Sequence, residues 1–188
     1  PVAYPSYTDI IADNVFPPRK LPLMDSGKYF EVTTSITGHG QEGEFIPRNH
    51  FFKAGSSPQF QWQVWKDCGE NPVYPQGGTW IYDRAGWCPG MATDIRRNDV
   101  TNYLTAGDSG LFDYGITSAT GTSRYIVSNK LITYGEYNHK LDAAIVDIVA
   151  PSKRVEYQRD NDICHYPKIT IRNSGKDTLR FLKIEFWV

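Results

Sequence analysis

Hydrophobic and polar residues alternate with a period of two in several parts of this chain. In the clearest case, Phe60, Trp62 and Val64 alternate with three glutamines. Successive side chains of a β-strand point to opposite faces of a sheet. The pattern therefore predicts a half-buried antiparallel strand with an apolar face and a face of amides.

Similar short apolar stretches recur along the chain, each bounded by Gly, Pro, Asn or Asp. They predict strands at residues 29–37, 79–82, 125–134 and 143–149. No segment shows the periodicity of a helix. Regularly spaced short strands joined by long loops predict an all-β fold, an antiparallel jelly-roll sandwich.

The C-terminal part differs from the rest and predicts a boundary near residue 140. We expect a jelly roll over residues 1–140 and a β-strand extension, or a partial immunoglobulin-like module, over residues 141–188. Strands are predicted at 167–171 and 178–188, with the turn-forming residues 173–177 between them as a hairpin signal. The last strand either begins a second module or returns to the main sandwich, and the sequence leaves both alternatives open.

Composition narrows the class of protein. Aromatic residues make up 14% of the 188 residues, and the chain holds 16 glycines and 12 prolines, which is typical of a secreted β-protein with many turns. The net charge of -1 argues against nucleic acid or an anionic membrane as partner. No apolar run approaches the roughly 20 residues that span a bilayer. Without a start methionine or a signal peptide, the chain is expected to be a processed or excised piece.

Residues 83–91 predict a rigid surface loop that presents Arg84 and Trp87. Two glycines and Pro89 within this segment exclude a regular helix or a central strand. An arginine beside a tryptophan suits a neutral polar ligand such as a sugar, with the indole against a ring face and the guanidinium on an oxygen. The alternative is a structural turn in which Arg84 pairs with Asp83, and these residues alone favour it.

The three cysteines indicate one disulfide. Cys68 lies in a turn, and a bond to Cys88 would close the intervening segment and hold the loop. Such a bond implies an oxidising compartment. Cys164 would then be a buried thiol, although three cysteines leave the pairing open.

A second polar region begins within the first predicted strand and runs from Thr33 to His50. Glu44 and Arg48 are close enough in sequence for an ion pair, which would keep Glu44 ionised and able to orient water or a substrate hydroxyl. The alternative is a surface salt bridge of little energetic weight. His39, Glu44 and His50 could form a two-histidine, one-carboxylate metal site, but their spacing matches no ligand motif, so no metal is expected.

Together these stretches resemble the C-terminal domain of the peptide-N-glycosidase F family, bacterial amidases that remove N-linked glycans from asparagine. The run at residues 83–91 matches the family's loop, and Cys68 stands at the position of that loop cysteine's partner. The strand and turn at residues 33–40 and the segment from Glu44 through Arg48 to His50 also resemble the family. The resemblance is clear over residues 29–100, weak over 1–28 and 101–138, and absent beyond.

The resemblance implies a role for individual residues. Glu44 and Arg84 would be the active-site residues of this domain, and Trp87 would line the sugar site. Further substrate contacts are implied for His39, Gln41, Arg48 and Asp83. The chain departs from the family at His39, which replaces a tryptophan, at Gln41, which replaces a histidine, and in lacking a small disulfide around the glutamate.

The resemblance also implies that this chain carries only part of a catalytic site. In the family, the site lies between two jelly-roll domains, and the catalytic aspartate and a second glutamate come from the N-terminal domain. The implied partner is therefore an N-terminal jelly-roll domain of the same protein, and the chain alone is expected to be inactive. The implied substrate is an N-linked glycoprotein or glycopeptide, cleaved without cofactor or metal by a secreted, periplasmic or cell-surface bacterial enzyme.

Two alternatives come from other functional classes. A glycan-binding or adhesion module could keep the fold and the arginine–tryptophan loop without catalysis, and the substitution at His39 favours it. The copper type II monooxygenases resemble this architecture, but they require clustered histidines and a methionine. The four histidines here are scattered, and Met91 belongs to the glycosidase-like loop, so this alternative ranks lowest.

Overall fold

The protein is mainly β-sheet, as the hydrophobic pattern predicts. The structure, a computed structural model, describes residues 4–69, 71, 77–154, 157 and 166–187. In chain order its elements are α1 (Tyr7–Ile11), β1 (Arg19–Pro22), β2 (Tyr29–His39), α2 (Gln41–Phe45), β3 (Arg48–Ala54), β4 (Phe60–Val64), β5 (Arg96–Asp99), a 3₁₀ turn (Thr101–Tyr103), β6 (Ser109–Ile116), β7 (Arg124–Tyr134), β8 (Ala143–Ala150) and β9 (Lys168–Asn173).

The strands up to β7 form two antiparallel sheets. One has the order β1-β6-β3-β4 and the other the order β5-β2-β7. The longest pairing joins β2 and β7 over eleven residues, from Tyr29 opposite Tyr134 to His39 opposite Arg124. Side chains from both sheets share the buried core, so the fold is an antiparallel β-sandwich. The predicted all-β fold class is confirmed.

The core consists of two apolar clusters between the sheets. The cluster that matters for the candidate site contains Ile36 of β2, Val64 of β4 and Tyr125 of β7. It also contains Ala85, which lies in the loop between β4 and β5. Ala85 is 1% exposed, so a loop residue is part of the core. Its burial places residues 84 and 86 of the same loop at a defined position against the sandwich.

Five predicted strands are confirmed within a few residues of their bounds, namely β2, β4, β7, β8 and β9. The strand predicted at residues 79–82 is wrong, because this segment forms turns. The prediction of no helix is also wrong, since α1 and α2 are single helical turns of five residues. Helices this short bury one or two residues and leave no periodic pattern in the sequence.

The described residues from Glu136 onward form a second compact unit, separate from the unit that ends at Gly135. Its sheet has two strands, β8 and β9, which pair antiparallel with Ala143 opposite Asn173. The hairpin predicted between β9 and a strand at 178–188 is not found in the described part, where residues 178–187 lie outside any strand.

The reason is that residues 174–177 bond to the segment before β8. The amide of Ser174 donates to the carbonyl of Asp142, and the amide of Asp177 donates to the carbonyl of Lys140. Gly175 packs against the same segment, where a Cβ would lie 2.6 Å from the Asp142 nitrogen. The turn after β9 is therefore hydrogen-bonded to the segment before β8 and does not lead into a hairpin. Cys164, predicted to be a buried thiol, lies outside the described residues.

Candidate active site

One residue of the 83–91 loop joins the two elements that carry the candidate site. The amide of Ala85 donates to the carbonyl of Glu44 in α2 at 2.9 Å, and its carbonyl accepts from the amide of Gly38 in β2 at 2.9 Å. The loop backbone is thus bonded to the end of β2 on one side and to α2 on the other. This pairing brings Arg84, next to Ala85, close to Glu44.

Glycine is required where these elements approach each other. Gly86 has a φ of +76°, and a Cβ at this position would lie 2.0 Å from the carbonyl oxygen of Ile36. At Gly38, a Cβ would lie 1.9 Å from the carbonyl oxygen of Gly43 in α2. Neither gap accepts a side chain, so the close contact of the loop, β2 and α2 depends on these glycines.

The predicted disulfide between Cys68 and Cys88 is confirmed, with a Cα–Cα distance of 5.5 Å. Next to it, Oδ1 of Asp83 accepts a hydrogen bond from the amide of Cys68 at 2.9 Å. The backbone of Arg84 pairs with that of Lys66 in both directions. Asp83 therefore holds the loop against the segment after β4, and its carboxylate is not the partner of Arg84.

The partner of Arg84 is Glu44. The Arg84 Nη1 atom lies 2.6 Å from Oε1 of Glu44, and the exposed fractions of the two side chains are 5% and 18%. The ion pair considered between Glu44 and Arg48 does not form, because Nη2 of Arg48 donates to the Thr120 hydroxyl at 3.0 Å. Closeness in sequence did not predict the partner of Glu44, because that partner comes from the 83–91 loop, which packs on α2.

The remaining donors of Arg84 are nearly all used within the protein. Its Nη2 atom donates to the carbonyl and to the hydroxyl of Thr79, and its Nε atom donates to the carbonyl of Tyr82. The guanidinium also lies 5.1 Å from the ring centroids of Phe45 and Trp87. Of its five N–H groups, one on Nη1 is left, so Arg84 chiefly positions the Glu44 carboxylate. Among the described residues, Oε2 of Glu44 has no hydrogen-bond partner.

Aromatic rings lie near the Glu44–Arg84 pair. The rings of His39 and Trp87 are stacked with centroids 5.7 Å apart, and Tyr4 meets the His39 ring edge-on at 5.0 Å. Trp87 donates its indole N–H to the carbonyl of Gly38 at 3.1 Å, which fixes the ring. The N–H of Trp87 is therefore already satisfied, and its half-buried ring contacts both His39 and the Arg84 guanidinium.

His39 is neutral near pH 7. Partial burial lowers the pKa of its imidazole, and the nearby Glu44 carboxylate opposes this shift without cancelling it. The Nε2 atom of His39 shares a hydrogen bond of 2.8 Å with the Thr37 hydroxyl. A neutral imidazole can offer a ring face and a hydrogen-bonding nitrogen, and it adds no charge beside the carboxylate.

His50 lies in a different environment. It is fully buried in the core, and its Nδ1 atom shares a 2.7 Å hydrogen bond with the Tyr114 hydroxyl. Burial lowers the pKa of His50 to about 3, so the ring is neutral. The metal triad considered for His39, Glu44 and His50 is therefore not assembled. In the part of the chain that the structure describes, no group of three or more His, Cys, Asp or Glu side chains could hold a metal ion.

The structure thus brings together four of the predicted site residues and separates three. Glu44, Arg84, Trp87 and His39 form one cluster, called here the Glu44 site. Gln41 is exposed at the start of α2, while Arg48 and Asp83 bond elsewhere.

Sequence reasoning missed Phe45, Thr79 and Tyr4, which contact Arg84 or His39. Phe45 follows Glu44 directly and could have been found as an aromatic neighbour of the carboxylate. Thr79 acts through its backbone carbonyl as well as its hydroxyl, and a backbone contact leaves no signal in residue types.

The described residues include no helix that is long and apolar enough to cross a membrane.

Comparison with known proteins identifies relatives of the first unit. The family described as Peptide-N-glycosidase F, C terminal, matches residues 6–132. Peptide-N(4)-(N-acetyl-beta-D-glucosaminyl)asparagine amidase F of Elizabethkingia miricola is 32% identical over 142 residues, which is 68% of this chain and 39% of that protein. The chain thus spans about two fifths of the length of this relative.

Solved structures of similar fold point to the same family. Recombinant peptide N-glycanase F (PNGase F) aligns with a TM-score of 0.57 at 29% identity, over 63% of this chain and 43% of that chain. The C2 crystal form of PNGF-II aligns with a TM-score of 0.56 at 20% identity, over 73% of this chain and 27% of that chain, which shows a shared fold. The resemblance found in the sequence is confirmed: the chain belongs to the peptide-N-glycosidase F family and contains its C-terminal domain.

Proposed function

We propose that this chain is the C-terminal half of a peptide-N-glycosidase. The reaction is hydrolysis of the amide bond between N-acetylglucosamine and the asparagine side chain of an N-linked glycoprotein. Water adds its hydroxyl to the amide carbon, the C–N bond breaks, and the nitrogen leaves with the sugar as a glycosylamine. The peptide keeps an aspartate in place of the asparagine.

The observation that carries the proposal is the ion pair between Glu44 and Arg84. Arg84 is held by Thr79 and Tyr82 and pairs with Oε1 of Glu44, and among the described residues Oε2 has no hydrogen-bond partner. A carboxylate oxygen fixed in this way can accept a hydrogen bond from a sugar hydroxyl, an amide N–H or a water. The half-buried rings of Trp87 and His39, which stack on each other, can offer their remaining exposed surface to the apolar face of an N-acetylglucosamine ring.

In this proposal the two charged residues have different roles. Glu44 contacts the substrate, and Arg84 is a positioning residue that keeps the carboxylate oriented. The aspartate that activates water is contributed by an N-terminal domain, as the family resemblance implies. The chain alone is therefore expected to bind the chitobiose core weakly and to release no glycan. A disulfide-bonded loop fits a secreted, periplasmic or cell-surface location.

The test is release of glycan from a denatured N-glycoprotein in the presence of a chelator. The 188-residue chain is compared with the full natural open reading frame and with its Glu44→Gln variant. We expect release by the longer protein, a loss of roughly a hundredfold or more in the variant, and none by the chain. Near-normal turnover by Glu44→Gln would remove the site assignment.

The second candidate function is glycan binding without catalysis. It is favoured by the stacked His39 and Trp87 rings, which give the site an aromatic surface whether or not the protein catalyses a reaction. Retained binding to immobilised chitobiose, with no release by the longer protein, would establish this function instead.

A further inference from the structure

A cleft of about 370 Å³ opens at one edge of the sandwich, between β4 and the segment that leads into β5. β4 and β5 are edge strands of their two sheets, so the cleft lies where the two layers separate. It is called here the edge cleft. Gly86 lines it, whereas its loop neighbours Arg84 and Trp87 do not and belong to the Glu44 site. The same loop therefore borders two distinct sites.

The apolar surface of the edge cleft comes from two tryptophans and the core. Trp62 of β4 and Trp65, just after β4, both line it, and Ile36 and Val64 of the core cluster are also exposed to it. Both tryptophans are half-buried, so the fold restricts their side chains while part of each stays exposed. Rigid aromatic surface of this kind binds ligands with little loss of conformational entropy.

Polar groups surround these rings. The guanidinium of Arg96 lies over the Trp62 ring, 4.8 Å from its centroid, and stacking in this way leaves its N–H groups directed to the side. Among the described residues, neither Arg96 nor the Gln63 amide has a side-chain hydrogen-bond partner in the protein. Asp94 uses Oδ1 in its ion pair with Lys66, and its Oδ2 is available. Residues with donor and acceptor groups thus line the same cleft as the two tryptophans.

The rim that carries these groups is held by hydrogen bonds to backbone carbonyls. The amide of Asp94 donates to the carbonyl of Gly86 at 3.2 Å, and the carbonyl of Asp94 accepts from the Ser35 hydroxyl at 3.0 Å. Lys66 also donates to the carbonyl of Ala92 at 2.9 Å. These hydrogen bonds restrict the rim of the cleft, which lowers the entropic cost of binding.

This combination selects a class of ligand. Aromatic rings with an amide, a carboxylate and a guanidinium at their edge match a sugar ring, which has an apolar C–H face and a rim of hydroxyls. The lining carries one carboxylate and one guanidinium, so neither sign of charge prevails and an anionic ligand is not favoured. The volume is at the small end of ligand sites, which range over roughly 300–1,000 Å³.

We infer that the edge cleft is a second saccharide site, which binds one or two neutral sugar rings beside Trp62 and Trp65. This site goes beyond the proposed function, because it shares no side chain with the Glu44 site and takes part in no bond cleavage. Its role would be to hold a part of a glycan other than the pair of sugars at Glu44. That role would raise affinity for large glycans through a second point of attachment.

The test uses the indole N–H resonances of the 188-residue chain, which has five tryptophans. Single Trp→Phe variants assign the resonances of Trp62, Trp65 and Trp87. Diacetylchitobiose and mannotriose are then titrated up to their solubility limits. Saturable shifts of the Trp62 or Trp65 resonance with either sugar are expected. No shift of these two resonances, or shifts of Trp87 alone, would overturn the inference.

Variants separate the two sites. Gln63→Ala and Arg96→Gln are expected to weaken binding at the edge cleft by roughly tenfold each, and Glu44→Gln is expected to leave it unchanged. Gln61→Ala is the matched control, because Gln61 belongs to the same strand but does not line the cleft. Equal effects of Gln61→Ala and Gln63→Ala would contradict the inference. This readout does not measure glycan release, so its result is independent of the proposed amidase function.

Discussion

The Nη1 atom of Arg84 lies 2.6 Å from Oε1 of Glu44, although the two residues are 40 positions apart in the chain. Glu44 belongs to a five-residue helix and Arg84 to a disulfide-bonded loop. The pair forms because Ala85 is bonded to the backbone of both β2 and α2. The geometry of the Glu44 site therefore depends on the contact of three short segments.

Replacing Arg84 by methionine should destabilise the protein by about 2–4 kcal/mol, because it leaves the Glu44 carboxylate and the Thr79 groups without their partner in a mostly buried place. Urea unfolding measures the change. Glu44→Gln should cost less, since Glu44 is more exposed. The double variant should be more stable than the sum of the single changes predicts, and simple additivity would show that the pair is not coupled.

Gly86→Ala should destabilise the protein by about 2–4 kcal/mol, because the backbone is in the left-handed region and the new methyl group would collide with the Ile36 carbonyl. Gly69→Ala is the control, since a Cβ there meets nothing within 4 Å, and its effect should stay within about 0.5 kcal/mol. Thermal unfolding of both variants compares them. A tolerated Gly86→Ala would contradict the close packing of the loop on β2.

Reduction of the Cys68–Cys88 bond, which spans 20 residues, should lower the free energy of unfolding by about 3 kcal/mol. The closed loop limits the unfolded chain, and the bond also holds the segment that carries Arg84. Unfolding of Cys68→Ser with and without reductant measures the effect. Cys164→Ser serves as the control and should leave the response to reductant unchanged. A wild-type protein insensitive to reductant would count against a stabilising role.

Acid should destabilise the protein partly through His50. Its pKa is about 3 in the folded protein and near 6.5 when unfolded, so the unfolded chain binds more protons between these values. The stability from the buried neutral ring is fully present above pH 6.5. It falls as the pH drops toward 3, by up to about 1.4 kcal/mol per pH unit.

The measurement is urea unfolding at pH 7, 6 and 5, chosen to lie above most carboxylate titrations. The His50→Asn variant is the reference, because asparagine does not titrate. We expect the wild type to lose more stability than the variant over this interval. Parallel pH profiles of the two proteins would show that the ring is accessible to protons in the folded state.

The sequence by itself determined the fold class and five of the strands, and it indicated the disulfide while leaving the pairing open. Alternation along β4, and apolar stretches such as β2 and β7, report a local property, since a strand's two faces are visible in a window of a few residues. It also determined the family and the residue types at the Glu44 site. These signals are carried by short contiguous segments.

Only the tertiary structure decided which of these residues meet. The partner of Glu44 is Arg84 instead of Arg48, and His50 lies in the core instead of beside His39. Ion pairing and burial depend on how segments far apart in the chain pack, and spacing along the sequence carries little of that information. The edge cleft is a further case, because Trp62 and Asp94 face one cavity only after the two sheets have come together.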